Sequence, residues 1–412
     1  MIKIIVILII ILAICVLWIY KKRINRESQL QKNTNNEIIE VNIIDKKNNM
    51  QKICKEPQKE EYVIVDMTID NLYYQNVGIR TKGSSIYGYL KANNLENYSF
   101  KVKLDYINPN QTYKGITEIY LNTRVYDSTS MREYLAYRIY NEMGIDTQTY
   151  FLADLKINGE ENGIITIVEV INQKYVAKKY KNNKGNLYKP IPIEGKGNYG
   201  ADLRYYDSKM ENYKGIFNNI KTTNTNDNDK NRLIEIIKKI EKAKTNEEIE
   251  KNFIDFNKII KMIAINKAIA NIDNFTSKTL RNYYLYEIDN KIDIIPFDFD
   301  LTMGTNPNKL YWTENFDTYK LSDDGEIYSK LVEIIINNSE YIERYKQYYF
   351  ETLNTIQSMN IEQAIDDIDS KIDEKVKLNV NKIYSYNEYK KGIIDLKAFY
   401  EELNKKYLQE KE

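Results

Sequence analysis

Three aspartates and one asparagine in the second half of the chain have the residue types that metal-dependent phosphoryl transfer needs. Asp273 follows an apolar segment, Asn282 comes nine residues later, and Asp298 and Asp300 follow a further apolar run. Carboxylate and amide oxygens are the ligands that Mg²⁺ prefers, and a fixed carboxylate can orient or deprotonate an acceptor hydroxyl. We therefore predict Asp273 as the catalytic residue and Asn282, Asp298 and Asp300 as Mg²⁺ ligands.

The composition narrows the chemistry to the same class. The 412 residues include no histidine and only two cysteines, Cys15 and Cys54. The absence of histidine excludes Ser-His-Asp and Cys-His catalysis and any His-ligated zinc or iron site. With 60 basic and 59 acidic side chains, the net charge of +1 gives no reason to expect a nucleic-acid partner. Asp, Glu, Lys, Arg, Asn, Ser and Tyr remain, a set that suits phosphate and Mg²⁺ chemistry.

Candidate nucleotide-binding residues lie in the first half. A predicted strand runs into a turn with cations, a glycine and two hydroxyls, which are the ingredients of a phosphate-binding nest. A second strand directs two lysines to one face, and a glutamate ends the last predicted strand, where a kinase would bind adenine. A basic turn, a solvated strand face and an edge-strand charge are the ordinary alternatives. We predict ATP as the nucleotide, bound by Arg80, Lys82, Gly83, Ser84, Ser85, Lys101, Lys103 and Glu169.

The elements that must position these residues divide into two halves. Twelve of the fifteen glycines lie at or before Gly215, and none lies between Gly215 and Gly304. Strand patterns occur at 62–69, 77–80, 99–105, 117–122, 149–157 and 164–170, with one helix over 128–143. Helical patterns dominate after 215, and one of them, at 255–271, leads directly to Asp273. The order Asp, Asn, β-hairpin and Asp is that of a kinase active site, so we predict an α+β, two-lobed, atypical protein-kinase-like fold.

The N-terminus predicts a membrane anchor. Residues 4–20 form an uninterrupted apolar and aromatic run, just long enough to span a bilayer as a helix, and four cations follow it within six residues. This bias favours a cytoplasmic body and leaves an exterior one open. We predict a single-pass membrane protein with a transmembrane anchor at 1–20, a flexible tether at 21–61, a β-rich N-lobe at 62–171 and a helical C-lobe at 172–412.

Several short motifs, in order over about 65–305, resemble the spore-coat CotH kinase family. The resemblance implies transfer of the ATP γ-phosphate to Ser or Thr of proteins with Mg²⁺, with Asp273 as the catalytic aspartate and Asp298 as a metal ligand. Arg281 and Phe297 depart from the residues common in the family, His and Trp, but neither change removes a carboxylate. The motifs are 78–85, 99–104, 121–128, 131–133, 157–169, 185–189, 281–286 and 296–300.

Two other functions are compatible with parts of the sequence. A strand that ends in Asp-x-Asp also occurs in glycosyltransferases, which bind a metal and a sugar nucleotide, although their doubly wound α/β order is missing. A membrane-tethered, non-catalytic scaffold could use the 37 tyrosines as a binding surface. Those tyrosines are spread through predicted strands and helices, which favours a packing role for most of them.

Overall fold

The computed structural model describes residues 38–123, 125–193, 198–304, 326–379 and 383–411, without the side chains of 84, 85, 410 and 411. Its first half is a closed barrel of seven strands in the order β1-β2-β3-β4-β5-β7-β6. Alternate residues point inward, as Val41 and Ile43 do in β1, and build one apolar core. The strands are β1 Ile38–Ile44, β2 Val63–Ile69, β3 Leu72–Lys82, β4 Ser99–Lys103, β5 Glu118–Asn122, β6 Tyr150–Ile157 and β7 Glu160–Glu169.

Three helices accompany the barrel: α1 Asn49–Lys55, α2 Ser84–Ala92 and α3 Arg132–Glu142. The central helix α3 is buried along most of its length. Its first amide is capped by Asp127, whose Oδ2 accepts from Arg132 N at 2.9 Å. The N-cap residue Met131 makes no side-chain cap hydrogen bond, so Asp127 supplies the side-chain acceptor at this helix start.

The second half is mostly helical and contains one small antiparallel sheet. That sheet has the order β10-β9-β8, with β8 Asn186–Tyr188, β9 Tyr283–Ile288 and β10 Lys291–Pro296. The helices are α4 Gln173–Tyr180, α5 Lys214–Phe217, α6 Asp227–Lys242, α7 Asn246–Glu250, α8 Phe256–Ala268, α9 Lys330–Ile336, α10 Ser339–Ser358, α11 Ile361–Leu378 and α12 Tyr386–Lys411. The α+β class is therefore confirmed. Residues Ile39–Glu412 form one compact unit, so the lobe boundary near 171 stays a prediction.

Tyrosines fill much of the interior. The largest fully buried side chains are all tyrosines, among them Tyr137, Tyr140 and Tyr283. Burying a phenol ring removes a large apolar area from water, and the hydroxyl then needs a partner. Tyr283, for example, donates to Ala201 O at 2.7 Å. The tyrosine content is thus mainly a packing feature.

The predicted tether and the predicted anchor need correction. The stretch 38–61 is not a flexible tether, because β1, α1 and a 3₁₀ turn at Pro57–Lys59 fold onto the barrel, with Ile39, Met50 and Ile53 in its core. No helix among the described residues is long and apolar enough to cross a membrane. Over the part of the chain that the structure describes, the predicted localisation as a single-pass membrane protein is therefore wrong. The run 4–20, on which that prediction rested, lies outside the described residues.

Candidate active site

A cleft lies between the outer face of the barrel and the edge of the small sheet. Lys82, Tyr120 and Asn122 line it from the barrel, and Tyr284, Phe297 and Asp298 line it from the sheet. Because β9 runs antiparallel to both neighbours, its first residues and the last residues of β8 and β10 share one edge. The residues that flank these strand ends, Lys189, Asn282 and Asp298, therefore lie at that edge.

The loop that carries Asp273 is held by a chain of amides. Tyr140 Oη, from α3, donates to Asn266 Oδ1 at 2.7 Å, and Asn271 Nδ2 donates to the same oxygen at 2.9 Å. Asn271 Oδ1 in turn accepts from Asp273 N at 3.2 Å. Asn266 and Asn271 are buried. This chain of hydrogen bonds fixes the position of Asp273 relative to α3 and α8.

Asp273 combines one satisfied and one unsatisfied carboxylate oxygen. Asn282 Nδ2 donates to Asp273 Oδ2 at 3.0 Å and to its backbone oxygen at 2.8 Å. Oδ1 is buried without a hydrogen-bond partner, and the nearest cation is Arg281, whose Nε lies 3.8 Å away. Burial raises the pKa of Asp273, and the charge of Asp298 raises it further, against the opposing effects of Thr279 and Arg281. A buried carboxylate oxygen with no partner is a site for an incoming hydroxyl.

The sequence indicated that Asp298 lies at the end of an extended strand, but in the structure it does not. Strand β10 ends at Pro296, and Asp298 has a left-handed backbone with φ of 63°. Phe299 turns into the core, with its ring centroid 4.8 Å from that of Tyr137 and 4.7 Å from that of Tyr140. This packing pins the segment to α3. The turn is a strained conformation for a non-glycine residue, a feature that clusters at functional sites.

The loops of Asp273 and Asp298 run side by side. Ile272 N donates to Leu301 O at 3.2 Å, and Met303 N donates to Ile269 O at 2.8 Å. Burial is the main cause of the raised pKa of Asp273, and the charge of Asp298 contributes to it. Asp300 lies farther along the same segment. Burial raises the pKa of Tyr126, and the charge of Asp300 contributes to that shift.

The predicted Mg²⁺ ligands are too few to complete the coordination shell of the ion from protein atoms alone. Over the described residues, no three Asp, Glu, His or Cys side chains are grouped closely enough to hold a metal ion. Asn282 uses its amide nitrogen on Asp273, so its amide oxygen is the atom left for a metal. Mg²⁺ commonly takes one or two carboxylates and completes its shell with phosphate oxygens and water, so Asp298 with Asn282 fits a metal that arrives with a nucleotide.

On the barrel wall, Lys82 is joined to Glu133 of α3 through Asn122. Lys82 Nζ donates to Asn122 Oδ1 at 2.7 Å, and Asn122 Nδ2 lies 3.2 Å from each carboxylate oxygen of Glu133. Glu133 is fully buried, and Lys82 also lies 4.6 Å from the ring centroid of Tyr120. The ammonium of Lys82 is thus held in place at the cleft. Of the predicted cations, Lys82 lines the cleft directly.

Arg80 and Lys101 flank the cleft. They are paired across β3 and β4, and Lys101 is paired with Tyr120 of β5, so their side chains share the face that carries Tyr120. Arg80 forms an ion pair with Glu60, and Lys101 Nζ lies 2.6 Å from Glu118 Oε2. The two cations are therefore already neutralised by neighbouring carboxylates.

The remaining predicted ligands have different positions. Lys103 lies two residues beyond Lys101 on β4 and does not line the cleft. Gly83 precedes α2 with φ of 88°, and residues 84 and 85 begin that helix, so the predicted nest is a helix start. Glu169 lines the cleft, but its Oε2 accepts from Thr149 Oγ1 at 2.7 Å. Its carboxylate is thus occupied within the protein.

The sequence did not single out Lys189, a lysine directly after β8. Its Nζ lies 4.6 Å from the ring centroid of Phe297 and 5.9 Å from that of Tyr284. Burial lowers the pKa of Lys189 to about 8, against the opposing charge of Asp298, and Lys82 lowers it further. The sequence feature that could have identified Lys189 is its position after a short β-rich run, within the motif at 185–189. Its position beside Phe297 and Tyr284 depends on the pairing of β8 with β9, which no local pattern reveals.

The side chains that line the cleft suit a nucleotide, but the cleft has little free volume. Its apolar and aromatic walls suit a planar base, and Lys82 suits a phosphate. The walls are Val168, Ile171, Tyr120, Tyr284 and Phe297. The cavity volume of the cleft is only about 10 Å³, far below the roughly 300 Å³ at which ligand pockets usually begin. A bound nucleotide therefore requires the cleft walls to separate.

Comparison with known proteins identifies the family. The CotH kinase protein family matches residues 79–408, and the chain belongs to that family. The inner spore coat protein H of Bacillus subtilis is 25% identical over 250 residues, which are 60% of this chain and 65% of that protein. The chain thus matches about two thirds of the length of this curated relative. Family membership supports the predicted kinase-like class of fold.

Two solved structures show weaker likeness. The proinflammatory kinase CtkA of Helicobacter pylori is 13% identical with a TM-score of 0.34, and the match covers 74% of this chain and 97% of that chain. The HipA, HipB and operator DNA complex of the Shewanella oneidensis toxin-antitoxin system matches at 11% identity and a TM-score of 0.32, covering 71% of this chain and 58% of that chain. At these TM-scores neither structure supports a conclusion about this chain.

Proposed function

We propose that this chain is an atypical protein kinase that transfers the γ-phosphate of ATP to Ser or Thr hydroxyls of proteins. The observation that carries the proposal is Asp273, whose buried Oδ1 has no hydrogen-bond partner and whose loop runs beside that of Asp298. Family membership supports a kinase over the glycosyltransferase and scaffold alternatives. Apart from the closure of the seven-stranded barrel between β6 and β1, the ladders between the named strands are antiparallel, which also disfavours the doubly wound glycosyltransferase order.

The residues divide the work of transfer between the two walls. Asp273 Oδ1 accepts the hydrogen bond of the acceptor hydroxyl and takes its proton as the oxygen bonds to the γ-phosphorus and the bond to the ADP oxygen breaks. Lys82 binds the phosphates from the barrel wall. A Mg²⁺ ion held by Asp298 and the amide oxygen of Asn282 would neutralise phosphate charge when bound. Asn282 also keeps Asp273 oriented through Oδ2.

The relative's name gives a class of acceptor. The Bacillus subtilis protein is an inner spore coat protein, and we propose spore-coat or cell-surface proteins with accessible Ser or Thr residues as the substrates of this chain. Such a substrate would approach Asp273 beside Arg281, whose side chain is 45% exposed and whose Nε lies 3.8 Å from Asp273 Oδ1.

The proposal is tested with the purified full chain, γ-labelled ATP, Mg²⁺ and candidate coat proteins. Asp273→Asn preserves the shape and the contact with Asn282, so ATP should bind while transfer falls by roughly 10² to 10⁴-fold, the range for acid-base groups. Asp298→Asn should lose both Mg²⁺-dependent ATP binding and transfer. Asp289→Asn, in the exposed turn of the same hairpin, is the matched control and should behave as wild type. Transfer by Asp273→Asn at the wild-type rate would contradict the assignment.

A further inference from the structure

The position of Lys189 gives it access to the same space as the metal-binding aspartate. Its backbone N donates to Asn219 O at 2.9 Å, directly after the last residue of β8, so the start of the side chain is fixed. The side chain then extends across Phe297 and Tyr284, the residues that border Asp298 and Asn282 at the sheet edge. Lys189 and Asp298 therefore lie on the same wall of the cleft.

The ammonium of Lys189 lacks the partner that a purely structural lysine would have. Within the described residues, Lys189 Nζ has neither a hydrogen bond nor an ion pair, and its contacts are the two aromatic rings. Lys189 is half-buried, and a cation-π contact, worth roughly 0.5–2 kcal/mol, offsets only part of the several kcal/mol that full removal of an ammonium from water would cost. Lys258 shows the structural arrangement in this fold, because both oxygens of Asp293 accept from its Nζ at 2.6 and 2.7 Å.

Lys82, on the barrel wall, and Lys189, at the sheet edge, are close enough for their charges to interact. Lys82 on the barrel and Lys189 at the sheet edge repel, and Lys221 adds to the positive charge at Lys189. Like charges brought together in a partly buried cleft are unfavourable unless an anion lies between them. A chain of phosphates that extends from Lys82 toward Asp298 would pass between these cations.

We propose that Lys189 binds the terminal phosphates of the nucleoside triphosphate, on the wall opposite Lys82, and this inference rests on the proposed function. Lys82 holds the phosphates nearer the base, because it is tied to Asn122 and Tyr120 in the aromatic part of the cleft. Lys189 holds the phosphates nearer the metal, because it is on the wall of Asp298. The cleft then recognises a nucleotide by the length of its phosphate chain as well as by its base.

The test compares Lys189→Met with wild type in the full chain, by titration with MgATP, MgADP, adenosine and inorganic phosphate. Methionine has a similar length and suits aromatic surroundings, so the thermal midpoint should stay the same or rise. A charge-assisted hydrogen bond contributes about 1.5–3 kcal/mol, so the Kd for MgATP should rise roughly 10 to 100-fold. The Kd for MgADP should rise less, and that for adenosine should not change. Lys184→Met, an exposed lysine just before β8, is the matched control and should bind MgATP as wild type does.

Each other outcome overturns the inference. Unchanged MgATP affinity in Lys189→Met, with binding by wild type, removes the role of Lys189 and leaves the kinase proposal intact. An equal loss for MgATP and adenosine would show that Lys189 only supports the aromatic wall. Binding of inorganic phosphate that depends on Lys189, without binding of ATP, would assign the site to another phosphate source. Wild type that binds none of the nucleotides would overturn both proposals.

Discussion

Replacement of Arg132 by Met should destabilise the protein because it leaves a buried carboxylate without its counter-charge. Arg132 begins α3, and its Nη1 lies 2.5 Å from Asp127 Oδ1, with the two side chains 7% and 0% exposed. Its Nε also donates to Met303 O at 3.2 Å, which ties α3 to the segment that follows Asp298. The guanidinium thus contacts both the helix start and the loop of Asp298.

The size of the expected loss in the free energy of unfolding depends on the hydrogen bonds that Asp127 keeps in the variant. Removing one partner of a buried ion pair typically costs about 3–5 kcal/mol. Asp127 would still accept from Thr129 N at 2.9 Å, from Thr129 Oγ1 at 2.6 Å and from the backbone N of residue 132 at 2.9 Å. These three hydrogen bonds place the loss at the lower end, near 3 kcal/mol in the free energy of unfolding.

The pH dependence gives an independent check. Burial would raise the pKa of Asp127, but Arg132 and the hydrogen bonds from Thr129 and the helix amide outweigh it and hold the pKa below its ordinary value. A carboxyl with a depressed folded-state pKa adds stability above its unfolded pKa, roughly 3.9, and this stability is lost as the pH falls through the lower folded value. The stability difference between wild type and Arg132→Met should therefore be largest near neutral pH and shrink below about pH 4.

Urea unfolding, followed by circular dichroism from pH 3 to pH 7, measures both effects. Arg344→Met is the matched control: this arginine pairs with Glu340 and Glu250 on the surface, where such pairs contribute about 1 kcal/mol or less. If Arg132→Met is as stable as Arg344→Met at pH 7, or if its deficit does not depend on pH, the buried ion pair does not stabilise the fold as argued.

Two further variants test the hydrogen-bond chain from Tyr140 to Asp273 and the ion pair between Arg80 and Glu60. Tyr140→Phe removes the hydrogen bond to Asn266, so transfer should slow by roughly 5 to 10-fold, as expected for the loss of about 1 kcal/mol of positioning, with MgATP affinity unchanged. An equal fall in affinity would show that the chain supports the whole cleft instead. Glu60→Gln frees Arg80 from its ion pair, so MgATP should bind several-fold more tightly in a calorimetric titration if Arg80 reaches phosphate. Unchanged binding would exclude Arg80 from the nucleotide site.

Local sequence patterns predicted the elements better than the details of the turns. The six predicted strands correspond to β2 to β7, and Asn158-Gly159 forms the turn between β6 and β7, with φ of 54° and 83° at the two residues. A second Asn-Gly pair, at 162 and 163, is a bulge in β7, because the register with β6 shifts there. Turn residues signal a positive φ, but the register depends on pairing across the sheet.

The sequence predicted those residues of the candidate site whose side-chain type and order along the chain both match a kinase active site. Asp273, Asn282 and Asp298 follow one another closely enough for their order to predict a common site. The left-handed backbone at Asp298 was missed because the apolar run before it favours a strand that continues, whereas Phe299 is drawn into the contact with α3. Lys189 was missed because it is far away in sequence and reaches the site only through the pairing of β8 with β9.

The closure of the barrel by β1 decides how much of the chain a folding fragment must contain. Asn158 N, at the end of β6, donates to Ile43 O at 2.7 Å, and β1 pairs with β2 on its other side. The family match begins at residue 79, inside β3. A fragment that began there would lack β1 and β2 and would present two bare strand edges, which are templates for aggregation. The autonomous folding unit therefore extends at least as far back as Ile39, about forty residues before the first residue that the family shares.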